Sequence, residues 1–468
     1  MIGRQDILDR ASEWRLPPEV VEKDYVLGWL LASIARNPET SGYWVFKGGT
    51  CLKKCFFETY RFSEDLDFTL LPGSRYSQPE ILKVLRDIAR DSAELSGLDL
   101  PPDQVAVIPR HDRFGRSTFE GRIAYRGPLA IPSYPRVKFD LTQHEPVVAP
   151  TSSAPVLHSY PDHLPEDTLV TTYSLEELIA EKTRALFERT RPRDLYDVVF
   201  VLDNAGMAIS TADLHQLFQS KCQVKGIPPP TASQVLSLVG GDQELLTDWD
   251  TMLARQLPDL PSPGVFISRL GPVIQWIDGP APEQTPILAS APSRPGENLF
   301  APASVQFTGG GTSLEAIRFA GANRLAVRFM YNDTLRTVEP YSLRRPRTGN
   351  ILVYGWELES SQIKAFKLDK ISDVVVTREP YSPRYRVELS SIGPLQAPPP
   401  RRSPRVQSPT TSMRRRSTSS GAPRYIVQCL SCGKRFYRDK QDTKLGKHKA
   451  KGGWGTCSGR IGYVVGTT

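Results

Sequence analysis

The sequence predicts an α+β protein: a small mixed sheet with flanking helices, then a helical half, then two smaller units. Three observations carry that prediction. Hydrophobic spacing alternates between helical and strand periods through the first 277 or so residues. A Pro/Ala/Gly/Ser-rich stretch at 278–312, read as a linker, separates them from a second run of strands at 313–390. A Pro/Ser/Arg-rich stretch at 391–424, expected to be a disordered basic linker, precedes a cysteine-bearing segment at 425–468. For 468 residues, two or three domains is the expected partition.

The elements follow in order. Val26, Leu27, Leu30 and Leu31 share one side of a helix from Glu19 to about Ala35. The run Tyr43-Trp44-Val45-Phe46 reads as a strand that ends at a glycine pair, and a helix follows through Leu52 to Phe57. The next strand, Leu66 to Leu70, is stopped by Pro72-Gly73. A helix over about Gln78 to Leu95 leads to strand-like stretches at 104–108, 117–125 and 136–141. Ser174 is placed as an N-cap for a helix carrying Leu175, Leu178, Ile179, Lys182 and Leu186. In the 313–390 unit, a helix from Ser313 to about Ala320 precedes strands at 325–331, 335–340, 350–356, 364–367 and 373–377.

The chemistry concentrates in Phe46-Lys47-Gly48-Gly49-Thr50 and, 15 residues on, Arg61-Phe62-Ser63-Glu64-Asp65-Leu66-Asp67-Phe68. Glycines between a strand and a helix let backbone N–H groups approach phosphate oxygens. Asp65 and Asp67, two apart on a strand, point to the same face of the sheet. They can share hard divalent ions such as Mg²⁺ or Mn²⁺, which take oxygen ligands and bind triphosphates. Two such ions stabilise both oxygens of an in-line displacement at phosphorus. Asp140, on the strand Val137-Lys138-Phe139-Asp140, is the candidate third carboxylate, either as a metal ligand or as the proton acceptor. Taken singly, a glycine pair reads as a turn, an Asp-x-Asp as surface charge, and Lys138 with Asp140 as an exposed strand edge. Their order in one segment is what points to a site.

This segment resembles the AbiEii/AbiGii toxin family of nucleotidyltransferases over roughly residues 5–277. The resemblance rests on Glu22-Lys23-Asp24-Tyr25, the Phe46 to Thr50 loop and Arg61 to Phe68. It extends to Glu181-Lys182 with Arg184-Ala185, and to Arg193-Asp194-Leu195-Tyr196-Asp197. It implies a polymerase-beta-like nucleotidyltransferase fold, with Gly48, Gly49 and Thr50 on the triphosphate and Asp65 and Asp67 on metal. Lys182 would pair with phosphate and Asp194 would act as orienter or base. Without the resemblance, Lys182 reads as an exposed helix charge and Asp194 as an N-cap. The resemblance also implies an NTP substrate, transfer of NMP to an acceptor such as a tRNA 3′ end, another RNA or a protein, and a cognate antitoxin. The alternative is a nucleotide- and nucleic-acid-binding regulator without transferase activity. Arg110, Arg113, Arg116, Arg122 and Arg126 are open to two readings, nucleic-acid contacts or solvation of strands and loops.

Residues 313–390 resemble a WYL domain through Ala316-Ile317, Val327-Arg328-Phe329, Arg336 and Val338-Glu339-Pro340. Val353-Tyr354-Gly355-Trp356-Glu357-Leu358 and Lys364 to Ile371 extend the match. The name-giving tripeptide is not contiguous, and Lys stands where Arg is common in the last stretch. The resemblance implies a small Sm-like β-barrel sensing a nucleic-acid-related ligand, with Arg328, Arg336, Lys364 and Lys367 as its basic face. A dimer or partner interface is the alternative.

In the last unit Cys429-Leu430-Ser431-Cys432 is followed after 15 residues by His448 and after 8 more by Cys457. That is ligand spacing for a tetrahedral Zn²⁺ site, and metal would supply folding free energy to a unit of about 44 residues that cannot readily bury a sufficient core. The alternative is two reduced thiols and an unrelated His. Lys447 and Lys449 beside His448, with Lys444, Lys451, Tyr437 and Trp454 nearby, suit phosphate contact and base stacking.

Composition agrees with this division. Of a formal charge of +8, residues 401–424 contribute seven Arg and no acid, and 425–468 nine Lys or Arg against two Asp, leaving the other 400 residues at −6. A basic tail on an acidic body suggests nucleic-acid contact or a solubilising segment. Clustered cysteines point to metal rather than disulfides. With no run of about 18 apolar residues and no apolar leader after Met1, a membrane span and a secretory signal are not expected, and the expected location is the cytoplasm.

Overall fold

In the computed structural model, the first sheet is assembled around the short strand that ends at the glycine pair. The structure describes residues 1–58, 60–72, 76–111, 115–166, 168–205, 209–279, 288–292, 297–299, 311–346, 350–389, 425–429, 432, 434–438, 442–449, 456–457 and 461–467. Most of the expected linker 278–312, all of 391–424, and Arg113, Lys451 and Trp454 lie outside them. The described residues group into two compact units, one within Met1–Ala397 and one within Pro398–Thr468.

Two helices open the chain, α1 (Arg4–Trp14) and α2 (Pro18–Arg36). They are followed by β1 (Trp44–Lys47), a single helical turn α3 (Gly48–Cys51) that runs on as a π turn Leu52–Phe56, and β2 (Asp65–Leu70). Next come α4 (Gln78–Ser96), β3 (Ala106–His111), β4 (Ser117–Ala124), β5 (Arg136–Thr142), β6 (Ser152–Pro155) and β7 (Leu169–Thr172). Among the described residues these strands form one mixed sheet in the order β3-β4-β5-β2-β1-β7-β6. β2 runs parallel to β5, and β1 parallel to β7, while β1–β2 and β4–β5 are antiparallel.

Side-chain alternation gives this sheet two chemically different faces. Phe46, Phe68, Leu66 and Phe139 are buried on one, where Phe46 and Phe68 stack at 5.0 Å. A Cβ at Gly121, in register with Phe139, would strike Leu85 of α4 at 2.5 Å, so α4 covers this apolar face. α2 lies against α4, joined by Ser92 Oγ and Ser33 Oγ at 2.8 Å. It is buried almost all round, with Leu27, Leu30 and Leu31 fully enclosed, each side chain stabilising the fold by roughly 1.5–3 kcal/mol. The acids occupy the opposite face.

The helical half is α5 (Leu175–Arg189), α6 (Pro192–Ala205), α7 (Thr211–Val224), α8 (Ala232–Gly241), α9 (Gln243–Leu253) and α10 (Pro263–Val273). Ser174 caps α5 as expected, accepting from Glu177 N at 3.1 Å.

Beyond it come β8 (Glu297–Leu299), α11 (Gly311–Ala322), β9 (Leu325–Tyr331), β10 (Thr334–Pro346), β11 (Leu352–Glu357), β12 (Gln362–Lys367) and β13 (Ile371–Pro380). The strands form an antiparallel sheet ordered β12-β11-β10-β9-β13, with β8 on β10. This sheet and its helix pack on the first part of the chain. Arg318 of α11 donates to Glu58 at 2.8 Å, Tyr196 Oη to Asn323 at 3.1 Å, and Arg269 to the Asn323 carbonyl at 2.9 Å.

The last unit is β14 (Tyr425–Cys429), β15 (Arg435–Arg438), β16 (His448–Lys449), β17 (Thr456–Cys457) and β18 (Gly462–Thr467). Sheet β15-β14-β18 is accompanied by the pair β16-β17. Among the described residues no helix is long and apolar enough to cross a membrane.

Candidate functional site

Register brings the three carboxylates together. Asp67 lies opposite Asp140 across the parallel β2–β5 pair, and Asp65 opposite Lys138. Across β1–β2, Asp67 faces Lys47. Burial, and then repulsion from Asp140, push the Asp67 carboxyl up to about 6 from an ordinary 3.8. Burial also raises Asp65. The Asp140 side chain is 41% exposed and receives Lys138 Nζ at 2.8 Å.

The glycine pair sits against this cluster for steric reasons. Gly48 has φ +78°, and a Cβ there would lie 2.1 Å from Asp67 Oδ2. A Cβ at Gly49 would meet Arg61 Nη2 at 2.7 Å and Ser63 Oγ at 3.1 Å. The Thr50 hydroxyl donates to the Asp65 carbonyl and ties the turn to the start of β2.

Cations surround the acids. Lys182 Nζ lies 3.0 Å from Asp197 and 3.4 Å from Asp194. Arg61 grips Asp197 through Nε and Nη2 at 2.7 and 2.8 Å and reaches Gln256 Oε1 at 2.9 Å. Arg189 holds Asp194 at 2.7 and 3.0 Å. Asp194 and Asp197, three apart on α6, are both fully buried. Opposing the effect of its burial, Arg61 and then Lys182 hold the Asp197 carboxyl well below the usual range. Lys47 is buried and paired with Glu145 and, at 3.7 Å, with Glu181. Lys47 and Lys182 both act to lower Asp67.

The sequence reading assigned no role to Arg61, Asp197, Lys47, Glu145 or Arg189. One signal was available: acids at i and i+3 on a helix whose same face carries buried apolar residues must find internal cations.

In the second sheet, Arg336 and Lys364 converge on Glu357, which is 1% exposed, Arg336 at 3.0 Å. The strand registers turn Arg328 and Lys367 to the opposite face. Arg328 lies 3.7 Å from Glu379.

In the last unit the ligating atoms of Cys429, Cys432, His448 and Cys457 all lie within 4.8 Å of one another. Cys429 and Cys457 sulfurs are 3.8 Å apart, and Cys432 Sγ is 3.4 Å from His448 Nε2. His448 Nδ1 is 2.8 Å from the Gly446 carbonyl, which assigns its proton there and turns Nε2 to the cluster. β16 and β17 pair His448 directly with Cys457.

A glycine turn beside three carboxylates on one sheet face, with lysine and arginine nearby, is a donor set of the kind that suits hard divalent ions and phosphates. The chain belongs to the nucleotidyl transferase AbiEii toxin family of type IV toxin–antitoxin systems, which it matches over residues 29–277. No curated protein matches it in sequence. Among solved structures it is similar to MenT4, a nucleotidyltransferase toxin of Mycobacterium tuberculosis H37Rv. That likeness covers 60% of this chain and 91% of the other at 18% identity and a TM-score of 0.36. A second likeness is to proteasome accessory factor B/C of Arthrobacter aurescens, over 79% of this chain and 74% of that one at 10% identity and a TM-score of 0.15.

Proposed function

We propose that the protein transfers NMP from an NTP to an RNA acceptor, a tRNA 3′ end being the model acceptor, within a toxin–antitoxin or phage-defence setting. The observation that carries this reading is the in-register Asp65, Asp67 and Asp140 set against Gly48. Burial and repulsion from Asp140 make the ionised form of Asp67 costly, and a bound cation would offset that cost. All three are hard oxygen donors, which suits Mg²⁺ or Mn²⁺. When bound, the ion would screen the phosphates and withdraw charge from the reacting phosphorus.

The protein's own residues divide the remaining work. Backbone N–H groups of Gly48, Gly49 and Thr50 hold the triphosphate, and Lys182 supplies a compact cation to it. Asp194 orients Lys182 and Arg189. The acceptor hydroxyl oxygen forms a bond to the α-phosphorus, the bond to the β-phosphate's bridging oxygen breaks, and pyrophosphate leaves. The hydroxyl proton passes to Asp140.

The smaller units complete the reading. The 313–390 region acts as a WYL-type domain for a nucleic-acid-related ligand, contacted through Arg328 and Lys367 on one face of its sheet. Arg336 and Lys364 on the other face are engaged by Glu357. The last unit holds Zn²⁺ through Cys429, Cys432, His448 and Cys457. Thiolates about 2.3 Å from a tetrahedral centre stand about 3.8 Å apart, the separation of Cys429 and Cys457. Lys447 and Lys449 then contact nucleic acid.

Incubation with each labelled NTP, Mg²⁺ and total RNA tests the transfer. Label in RNA that requires divalent metal supports the reading. Label confined to protein, or none from folded protein, overturns the RNA assignment.

A further inference from the structure

The small C-terminal unit has a second face that the metal cluster does not use. β14 and β15 pair Val427 with Phe436, Ile426 with Tyr437, and Gln428 with Arg435. Alternation then separates the two faces. Val427 and Phe436 turn inward with Cys429, Leu445 and Cys457, and the Phe436 ring lies 5.0 Å from the His448 ring. Tyr437 and Arg435 turn outward. Tyr437 is 65% exposed, among the largest exposures of any apolar or aromatic residue described. Arg435 Nε donates to Gln428 Oε1 at 3.0 Å, which fixes the guanidinium along the same face.

The unit that carries this ring is basic, with nine Lys or Arg against two Asp over 425–468. Arg435, Lys444, Lys447 and Lys449 are exposed. Lys434 Nζ reaches the Lys449 carbonyl at 3.4 Å and lies 5.9 Å from the Phe436 ring, on the inward side of the sheet. The one described acid, Asp442, lies 3.6 Å from Arg438. An exposed aromatic ring with an arginine on the same sheet face of a basic unit suits an unpaired base with a flanking phosphate.

We propose that the Arg435–Tyr437 face binds single-stranded RNA. Tyr437 stacks on a base, and Arg435 on the same face holds an adjoining phosphate. The choice of RNA over DNA rests on the acceptor reading above. The face thus captures acceptor RNA through a surface separate from the carboxylate site.

The test uses the full chain without NTP and a short fluorescein-labelled oligouridylate, read by anisotropy across a salt series. Tyr437→Ala should weaken binding by roughly 5- to 100-fold, the loss of one stacked base, while Tyr437→Phe retains most of it. Arg435→Gln should lower the slope of log affinity against log salt by about 0.7, one phosphate contact on a single strand. Zinc content equal to that of the unsubstituted chain shows that each variant keeps its fold. Unchanged affinity in Tyr437→Ala overturns the proposal. So does equal or tighter binding of oligodeoxyuridylate or of duplex DNA. Asp67→Asn separates the two claims, since it should abolish transfer and leave oligouridylate binding intact. Loss of transfer to RNA with Tyr437-dependent binding preserved would sink the acceptor reading alone.

Discussion

Replacing Asp67 by Asn should make the protein more stable at neutral pH while abolishing its activity. The wild-type carboxyl titrates at about 6 in the folded chain and at an ordinary 3.8 when unfolded. Because the folded value is raised, the folded state binds the proton more tightly. Stability therefore falls as pH rises from about 4 to about 6, and the full penalty is present above that window. At 1.36 kcal/mol per pH unit, the rise from 3.8 to about 6 corresponds to about 3 kcal/mol, an upper figure because part of the side chain meets solvent. Asparagine is nearly isosteric and carries no charge, so it removes the penalty. Thermal unfolding in EDTA should show Asp67→Asn melting a few degrees above the wild type at pH 7.5, with the gap closing near pH 4. Added Mg²⁺ should raise the wild-type melting temperature and leave the variant nearly unmoved. A variant that melts lower at pH 7.5, or a gap that does not change with pH, would refute the claim that uncompensated negative charge is concentrated there.

Three further outcomes follow from the same geometry. Arg61→Ala removes the two-pronged partner of buried Asp197, leaving Lys182 at 3.0 Å, and should cost about 3–5 kcal/mol in chemical denaturation. Arg61→Lys should recover little, since a lysine cannot form the two-pronged contact. The Asp197 carboxyl is held low, so the stability it contributes is present at neutral pH and is lost as pH falls below about 4. Gly48→Ala forces a side chain into φ +78° and onto Asp67, and should abolish transfer and lower stability by about 1–3 kcal/mol, measured by melting and label transfer. Chelation of the purified chain should release one equivalent of zinc with three thiols becoming reactive, and Cys432→Ser should carry less than one equivalent.

Much of this site was legible because its parts are local. Asp65 and Asp67 share a strand, Gly48 directly follows the strand beside them, and the Cys429-x-x-Cys432 spacing builds its own knuckle. β9 begins and ends where apolar alternation places it, at Leu325 and Tyr331. The linkage of Asp140 to Asp67 needed the parallel β2–β5 register, which no local pattern specifies. The buried ion pairs were hidden for the same reason. Arg61 and Asp197 are 136 residues apart, and Lys47 and Glu145 are 98 apart. β6 and β7 escaped notice because Ser152–Pro155 and Leu169–Thr172 are too short for a period to emerge. The basic face drawn from Arg328, Arg336, Lys364 and Lys367 overlooked Glu357. An acid that looks solvated in sequence lies beneath two of those cations.

The most direct measurement compares NTP labelled at the α-phosphate with NTP labelled at the γ-phosphate, using purified protein, Mg²⁺ and total RNA. Nucleotidyl transfer predicts that RNA acquires α-label and not γ-label, with pyrophosphate released in equal amount. Asp65→Ala and Asp67→Ala should each lose the transfer by at least about 100-fold. Transfer of γ-label to RNA, or α-label transfer that survives loss of both carboxylates, would contradict the account.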